Sequence, residues 1–389
     1  MTLRHKLLVP SAYLSIGMCG VYLSMYQISL LQIAQTFSLG SFMMGLLVAI
    51  QYVGLFLPPL FLGSLSEKLG KHGVLSISIP LMIAGTLMVA LTSSLIAFIA
   101  GIFIIGAGYS VTEATFSATL GAEFPEKSKF HLGVSQAIFS FGAVLSPFAC
   151  EALFAAGKSY KDLFLYVSII YVCLYVLFLF SKQVNDIKGS SKFGIRAAVS
   201  MFSSKAFVFF AAAMFLYVGI EEIVAFFTDS YFELTLASPS FSAMALSIFW
   251  VTMIPSRLLL GVTRLSHKTL ALICALGIAL GGVGVIAFSS ITIKLVAFGV
   301  LGFFSGPMWP LIMDVVAVRY PNSVGLAVNV MMSVCGLGGA FMPLVVGALI
   351  IGADFTPVFI TAAVCSIGMA ISFIIADPRK AGASVQQNS

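Results

Sequence analysis

The run SKQVNDIKGSSKFGIRAAVSMFSSK, residues 181–205, is the longest polar segment of the chain, with Lys182, Lys188, Lys192, Arg196 and Lys205 set against one acid, Asp186. On both sides of it the sequence is almost wholly apolar, and charge or turn clusters cut each side into six blocks. They lie near 7–35, 41–63, 74–92, 95–120, 131–156 and 162–181 before the run, and near 206–231, 240–261, 269–289, 292–317, 321–351 and 355–376 after it. Blocks of about 20 residues cross the roughly 30 Å hydrocarbon layer as helices. The pattern predicts an all-α membrane protein of twelve transmembrane helices in two six-helix bundles. Residues 1–181 and 206–376 form the bundles, 182–205 a basic linker and 377–389 a tail.

Composition agrees. Of 389 residues, 60% are hydrophobic and 9% charged, with a mean hydropathy of +1.09; a soluble domain carries about a quarter charged residues. Transmembrane β-strands alternate lipid-facing and lumen-facing residues, so uninterrupted apolar blocks exclude a barrel. The net charge of +6 comes from basic residues scattered between blocks, which leaves no phosphate-tracking stripe and no nucleic-acid partner. Placing the N-terminus in the cytoplasm puts all but three of the 20 Lys and Arg there, the exceptions being Lys158, Lys161 and Lys294, as the positive-inside rule demands. Both termini are then cytoplasmic, and the compact loops point to a bacterial-type inner membrane. The first block follows Arg4, His5 and Lys6 without an Ala-x-Ala cleavage site and reads as a membrane helix. Six cysteines sit inside apolar blocks without metal-ligand spacing, so neither metal nor cofactor is expected. The expected assembly is a monomer in the lipid bilayer.

The halves repeat one another. An offset of 196 residues aligns Gly106 with Gly302, Phe124-Pro125 with Tyr320-Pro321, Gly142-Ala143 with Gly338-Gly339 and Pro147 with Pro343; Gly63 matches Gly261 at an offset of 198. Two parallel six-helix halves are the architecture of a transporter with its binding site at mid-membrane between them.

The segment Gly63–His72, GSLSEKLGKH, resembles the loop between helices 2 and 3 of the major facilitator superfamily, with Glu67 where that pattern has Asp. The resemblance implies that Gly63, Glu67, Lys68, Gly70 and Lys71 form a cytoplasmic gate that latches helix ends in one state of the cycle. Further segments are similar to the fucose/hexose:proton symporter branch: GAGYSVTE at 106–113, FPEKS at 124–128, SQAIFSFGA at 135–143, LYVGIE at 216–221, GPMWP at 306–310 and GLGGA at 336–340. That branch has a proton-carrying Glu in helix 4 at the position of Glu113. It also has an embedded Asp in helix 1 where this chain has Gln27, which cannot titrate, so facilitated diffusion or another coupling ion stays open.

An ionised carboxylate at the bilayer centre costs at least about 2.5 kcal/mol, which makes buried acids functional candidates. Glu113 and Glu221 are the proton-coupling candidates. Glu221 and Glu222 are consecutive, so they project about 100° apart and cannot both address one cavity; Glu221 is assigned to the site and Glu222 to a neighbouring helix. A sodium site of Glu221 with carbonyl oxygens is the alternative. Asp229 and Glu233 read as an entrance rim. No Lys or Arg is expected near mid-membrane, Arg257 lying within a turn of the cytoplasmic end of helix 8, and this favours a neutral solute or a cation over an anion.

Trp309 falls opposite Glu113 under the repeat, and its face suits the C–H surface of a sugar. Gln27, Gln51, Gln136 and Asn329 are the candidates for hydrogen bonds to hydroxyls, and Trp250 reads as packing. Pro307, Pro310, Pro147 and Pro343 remove backbone donors and mark expected kinks. No nucleotide, zinc-hydrolase or serine-hydrolase motif is present, so the chain is not expected to be an enzyme. The reading is a secondary transporter for a small, neutral, sugar-like solute, driven by protons through alternating access. The alternatives are a proton-antiporting exporter of hydrophobic or cationic compounds and a non-transporting sensor of the same fold.

Overall fold

A computed structural model of the protein describes residues 3–124, 128–181, 195–260, 263–320 and 323–376. Side chains within 59–68 lie outside the described residues, as do the tail 377–389 and linker residues 182–194. The first half comprises α1 (Leu3–Thr36), α2 (Ser41–Phe56), α3 (Pro59–Leu91), α4 (Leu95–Glu123), α5 (Ser128–Ala155) and α6 (Tyr160–Leu179). A short α7 (Ile195–Met201) falls in the linker region. The second half comprises α8 (Lys205–Ser230), α9 (Ser242–Leu260), α10 (His267–Ala287), α11 (Ile291–Ser305), α12 (Met308–Arg319), α13 (Val324–Leu349) and α14 (Thr356–Ala376). The chain is an all-α membrane protein.

Eleven stretches are long and apolar enough to span a bilayer. The twelfth crossing is shorter at first sight, because α2 ends at Phe56 and resumes across Leu57 and Pro58 as the opening of α3. Where a loop is expected over 63–72, α3 stays helical except at Gly70, whose φ of 70° and ψ of 163° break it into two spans. That conformation is open to glycine and strained for other residues. The tenth crossing is divided at Gly306-Pro307 into α11 and α12, as its prolines predict. Pro147 and Pro343, by contrast, lie within unbroken helices. With an even number of crossings, the described start of α1, α7 and the end of α14 share one face of the membrane, here called the near side.

The repeat is physical. A Cβ on Gly106 would lie 2.2 Å from the Gln51 carbonyl oxygen of α2, and one on Gly302 would lie 2.1 Å from that of Phe249 in α9. A Cβ on Gly142 would lie 2.5 Å from the Gly17 oxygen of α1, and one on Gly338 would lie 2.3 Å from that of Phe215 in α8. Glycines aligned by the repeat thus seat the same helix pairs backbone to backbone in each half, where dispersion and small residues drive helix association in lipid. Gly106→Val should therefore cost about 1–3 kcal/mol through overpacking. A lower apparent Tm in detergent, with no change in a Gly133→Val control that has open space around it, would show this.

Helices α1 and α8 are apolar almost all round and largely buried, as suits elements at a bundle centre. The halves meet along α2 with α13, α5 with α9 and α1 with α8. On the far side they close tightly: a Cβ on Gly45 of α2 would lie 2.2 Å from the Pro343 oxygen of α13, and one on Gly347 would lie 2.6 Å from the Ser41 oxygen.

Candidate functional site

The mid-membrane region between the halves is built from short polar stretches of otherwise apolar helices. From the first half, α4 supplies Glu113 and α5 supplies Gln136, its close polar neighbour; both are half-buried. From the second half, the N-terminal turn of α12 supplies Trp309, also half-buried, which neighbours the Cys335 thiol of α13. Cys335 lies within electrostatic reach of both Glu113 and Glu221, so these groups border the same region between the halves. Asn329 is half-buried nearly two turns before Cys335 on α13. Cys335 itself was missed by the sequence reading, which took every cysteine for packing.

Arg257 corrects the expectation of a site without cations. Its Nη2 lies 3.7 Å from Glu221 Oε1, its Nε donates to the Gly306 carbonyl at 3.2 Å and its Nη1 to Ser140 Oγ of the first half at 3.4 Å. The helical partner of the Gly306 oxygen would be the amide of residue 310, which is proline and has no N–H. A buried carbonyl left without a donor is costly, and the guanidinium supplies one. The side chain therefore points inward along α9 rather than out to the headgroups. The signal was present in the sequence as a membrane-embedded acid and an orphaned carbonyl, both requiring the nearest arginine.

Above these groups, on the far side, aromatic and amide side chains seal the gap. Tyr26 of α1 meets Phe226 of α8 edge-on at 5.3 Å between centroids, and Tyr52 of α2 approaches the same ring at 6.5 Å. Gln27 is fully buried, and its Oε1 accepts from Trp250 Nε1 of α9 at 3.2 Å. Trp250, read from sequence as packing, thus bridges the halves. Glu222 is buried beside Tyr52 and Gln27. At the far-side rim Gln35 Nε2 donates to Glu233 Oε1 across the halves at 3.2 Å, beside a cleft of about 220 Å³ lined by Leu31, Met44, Leu234 and Phe355. With these contacts closing the far side, Glu113, Gln136, Trp309 and Asn329 remain partly accessible.

The structure sets Gln51 apart from this group: it is fully buried within the first half, where its Oε1 accepts from Tyr22 at 3.2 Å. Of the expected gate, the side chains of Gly63, Glu67 and Lys68 lie outside the described residues. Gly70 breaks α3, and Lys71 Nζ donates to the Ala118 oxygen of α4 at 3.4 Å. Two histidines pack on aromatic rings, His72 on Phe178 at 4.5 Å and His131 on Phe124 at 4.2 Å. Among the described residues no group of His, Cys, Asp or Glu is placed to hold a metal ion.

The sequence matches the family model of the Major Facilitator Superfamily over residues 12–263 and again over residues 197–389. The chain belongs to the Major Facilitator Superfamily. No curated protein sequence matches it. Among solved structures, the superfamily chain is similar to the nucleoside transporter NupG, with a TM-score of 0.81 and 15% identity over 96% of this chain and 100% of that one. It is also similar to the E. coli fucose:proton symporter FucP, with a TM-score of 0.66 and 19% identity over 95% and 99%. A bacterial homologue of the human lysosomal transporter Spinster, in an inward-facing and unoccupied conformation, aligns with a TM-score of 0.72 and 11% identity over 97% and 96%. At these identities the likeness is one of fold. Superfamily membership and this fold make the protein a multi-pass transporter of small molecules rather than an enzyme.

Proposed function

We propose that the transporter carries a small, neutral, polyhydroxylated solute together with protons, by alternating access, across a cell inner membrane with both termini in the cytoplasm. These groups are taken to line one cavity open to the near side, and the observation that carries the reading is the contrast between its two carboxyls. Glu221 faces Arg257, whereas Glu113 has Gln136 as its partner and no cation near it among the described residues. Glu113 is therefore the place on the cavity wall where a proton can be taken up and released without breaking an ion pair.

The substrate class follows from cancelled charge. The positive charge of Arg257 is met by Glu221, so the site offers an anion no free cation. What remains is an indole face, a carboxyl and amides, the set that recognises hydroxyls and C–H surfaces. The structurally similar NupG and FucP are named for a nucleoside and for fucose, both rich in hydroxyls.

Proteoliposomes under an imposed pH gradient test the reading with sugars, nucleosides and cationic drugs. Accumulation of a sugar or nucleoside that collapses with a protonophore supports it. Extrusion of a cation, uptake indifferent to the pH gradient, or binding without flux would replace it with an exporter, a facilitator or a sensor.

A further inference from the structure

We propose that Glu222 is a latch between the two halves whose protonation state sets how firmly the far side stays shut. The inference rests on the alternating-access reading above and adds to it a control point separate from Glu113.

Glu222 is 4% exposed and lies on α8, in the second half, yet its close polar neighbours Tyr52 and Gln27 belong to α2 and α1 of the first. Gln27 Oε1 is already taken by Trp250 Nε1, so the amide is oriented with its Nε2 as the free donor. That Nε2 and Glu222 Oε2 are both buried and both end without a hydrogen bond. A buried polar contact made only in part is costly in low dielectric and one small shift from completion. It is placed where such a shift matters, between halves that must separate on this side for the cavity to face the other way. Once that shift is made, the ionised carboxylate is placed to accept from both Tyr52 and Gln27, joining α8 to α1 and α2. The protonated group gives up one acceptor oxygen and the charge that strengthens both bonds, so the latch loosens.

The surrounding groups fit this role. On its own helix Glu222 adjoins Glu221, whose charge Arg257 of α9 meets, with Tyr217 close to that pair. From α1 it has Gln27 and from α2 Tyr52 as neighbours; Gln27 in turn meets Trp250 of α9, Tyr26 of α1 meets Phe226 one turn along α8, and Cys335 of α13 lies on the side of Glu221. None of these brings a second cation to Glu222, so its proton is not held in place by an ion pair. Tyr52 also packs against α13 of the second half, where a Cβ on Gly339 would lie 2.4 Å from its ring, so its contacts with both α8 and α13 must be given up when the halves part.

The test is a distance between spin labels on the far side, at Gly40→Cys and Ile351→Cys, in a protein whose accessible Cys173 and Cys365 are replaced by Ser. Both label sites are exposed, one in each half. Reconstituted wild type should show a short distance at high pH and a growing long-distance population as pH falls. Glu222→Gln should lose that pH dependence, and Tyr52→Phe, which keeps the carboxyl and removes one donor, should move its midpoint. If Glu222→Gln fails to fold, an unmoved midpoint in Tyr52→Phe overturns the latch by itself. If two distances appear but respond to pH as before in Glu222→Gln, the latch is wrong and alternating access stands; if one distance persists at every pH in every variant, both fail.

Discussion

Under an imposed pH gradient, Glu113→Gln is expected to bring its solute only to equal concentrations across the membrane, while exchange of labelled for unlabelled solute continues at the wild-type rate. Glutamine keeps the shape of the side chain and its capacity to hydrogen-bond Gln136 but cannot carry a proton. With one proton per solute, each unit of pH gradient is worth about 1.4 kcal/mol, or about tenfold in accumulation, so the loss at one unit is from about tenfold to none. Transport and exchange measured on the same vesicles separate lost coupling from lost binding. Accumulation unchanged in the variant would remove Glu113 from the proton path.

The second large effect concerns Arg257. Arg257→Met leaves Glu221 uncompensated and the Gly306 oxygen without its donor. Removing one partner of a buried pair costs about 3–5 kcal/mol; the 3.7 Å separation and the 23% exposure of the Arg257 side chain place this pair at the lower end, about 3 kcal/mol. At about 2 °C per kcal/mol, the low end for a large domain, the apparent Tm in detergent should fall by about 6 °C at a fixed scan rate. The pair Arg257→Met with Glu221→Gln should recover most of that loss, because no buried charge is then left alone. Additive losses in a double-mutant cycle would mean that the two side chains do not act on each other.

The architecture was legible because a bilayer permits so few structures: apolar blocks of the right length, a basic linker and a glycine pattern repeated at a fixed offset leave little freedom. The glycines carried positional information as well, since Gly106 and Gly302 touch equivalent carbonyls in the two halves. The site was legible in part. Sequence put Glu113, Gln136, Trp309 and Glu221 forward, and the structure brings them together around Cys335. It could not show which way a long side chain turns. Arg257 was placed by its Cα near a helix end, but its guanidinium is drawn inward by an acid and an unpaired carbonyl. Nor could it tell an amide at the cavity from one in a helix seam, which is why Gln51 and Gln136 looked alike. The roles of Glu222 and Trp250 depend on contacts between halves, and residues more than a hundred positions apart leave no local trace of meeting.

The mutual cancellation of Glu221 and Arg257 bears on how the cell's electrical potential does work here. As the bundles rock, this pair carries no net fixed charge through the field, and a neutral solute adds none. Under the proposed coupling, voltage then acts on the proton alone, contributing about 2.3 kcal/mol per 100 mV, more than a full pH unit supplies. An energised membrane with no pH difference across it would still concentrate the solute.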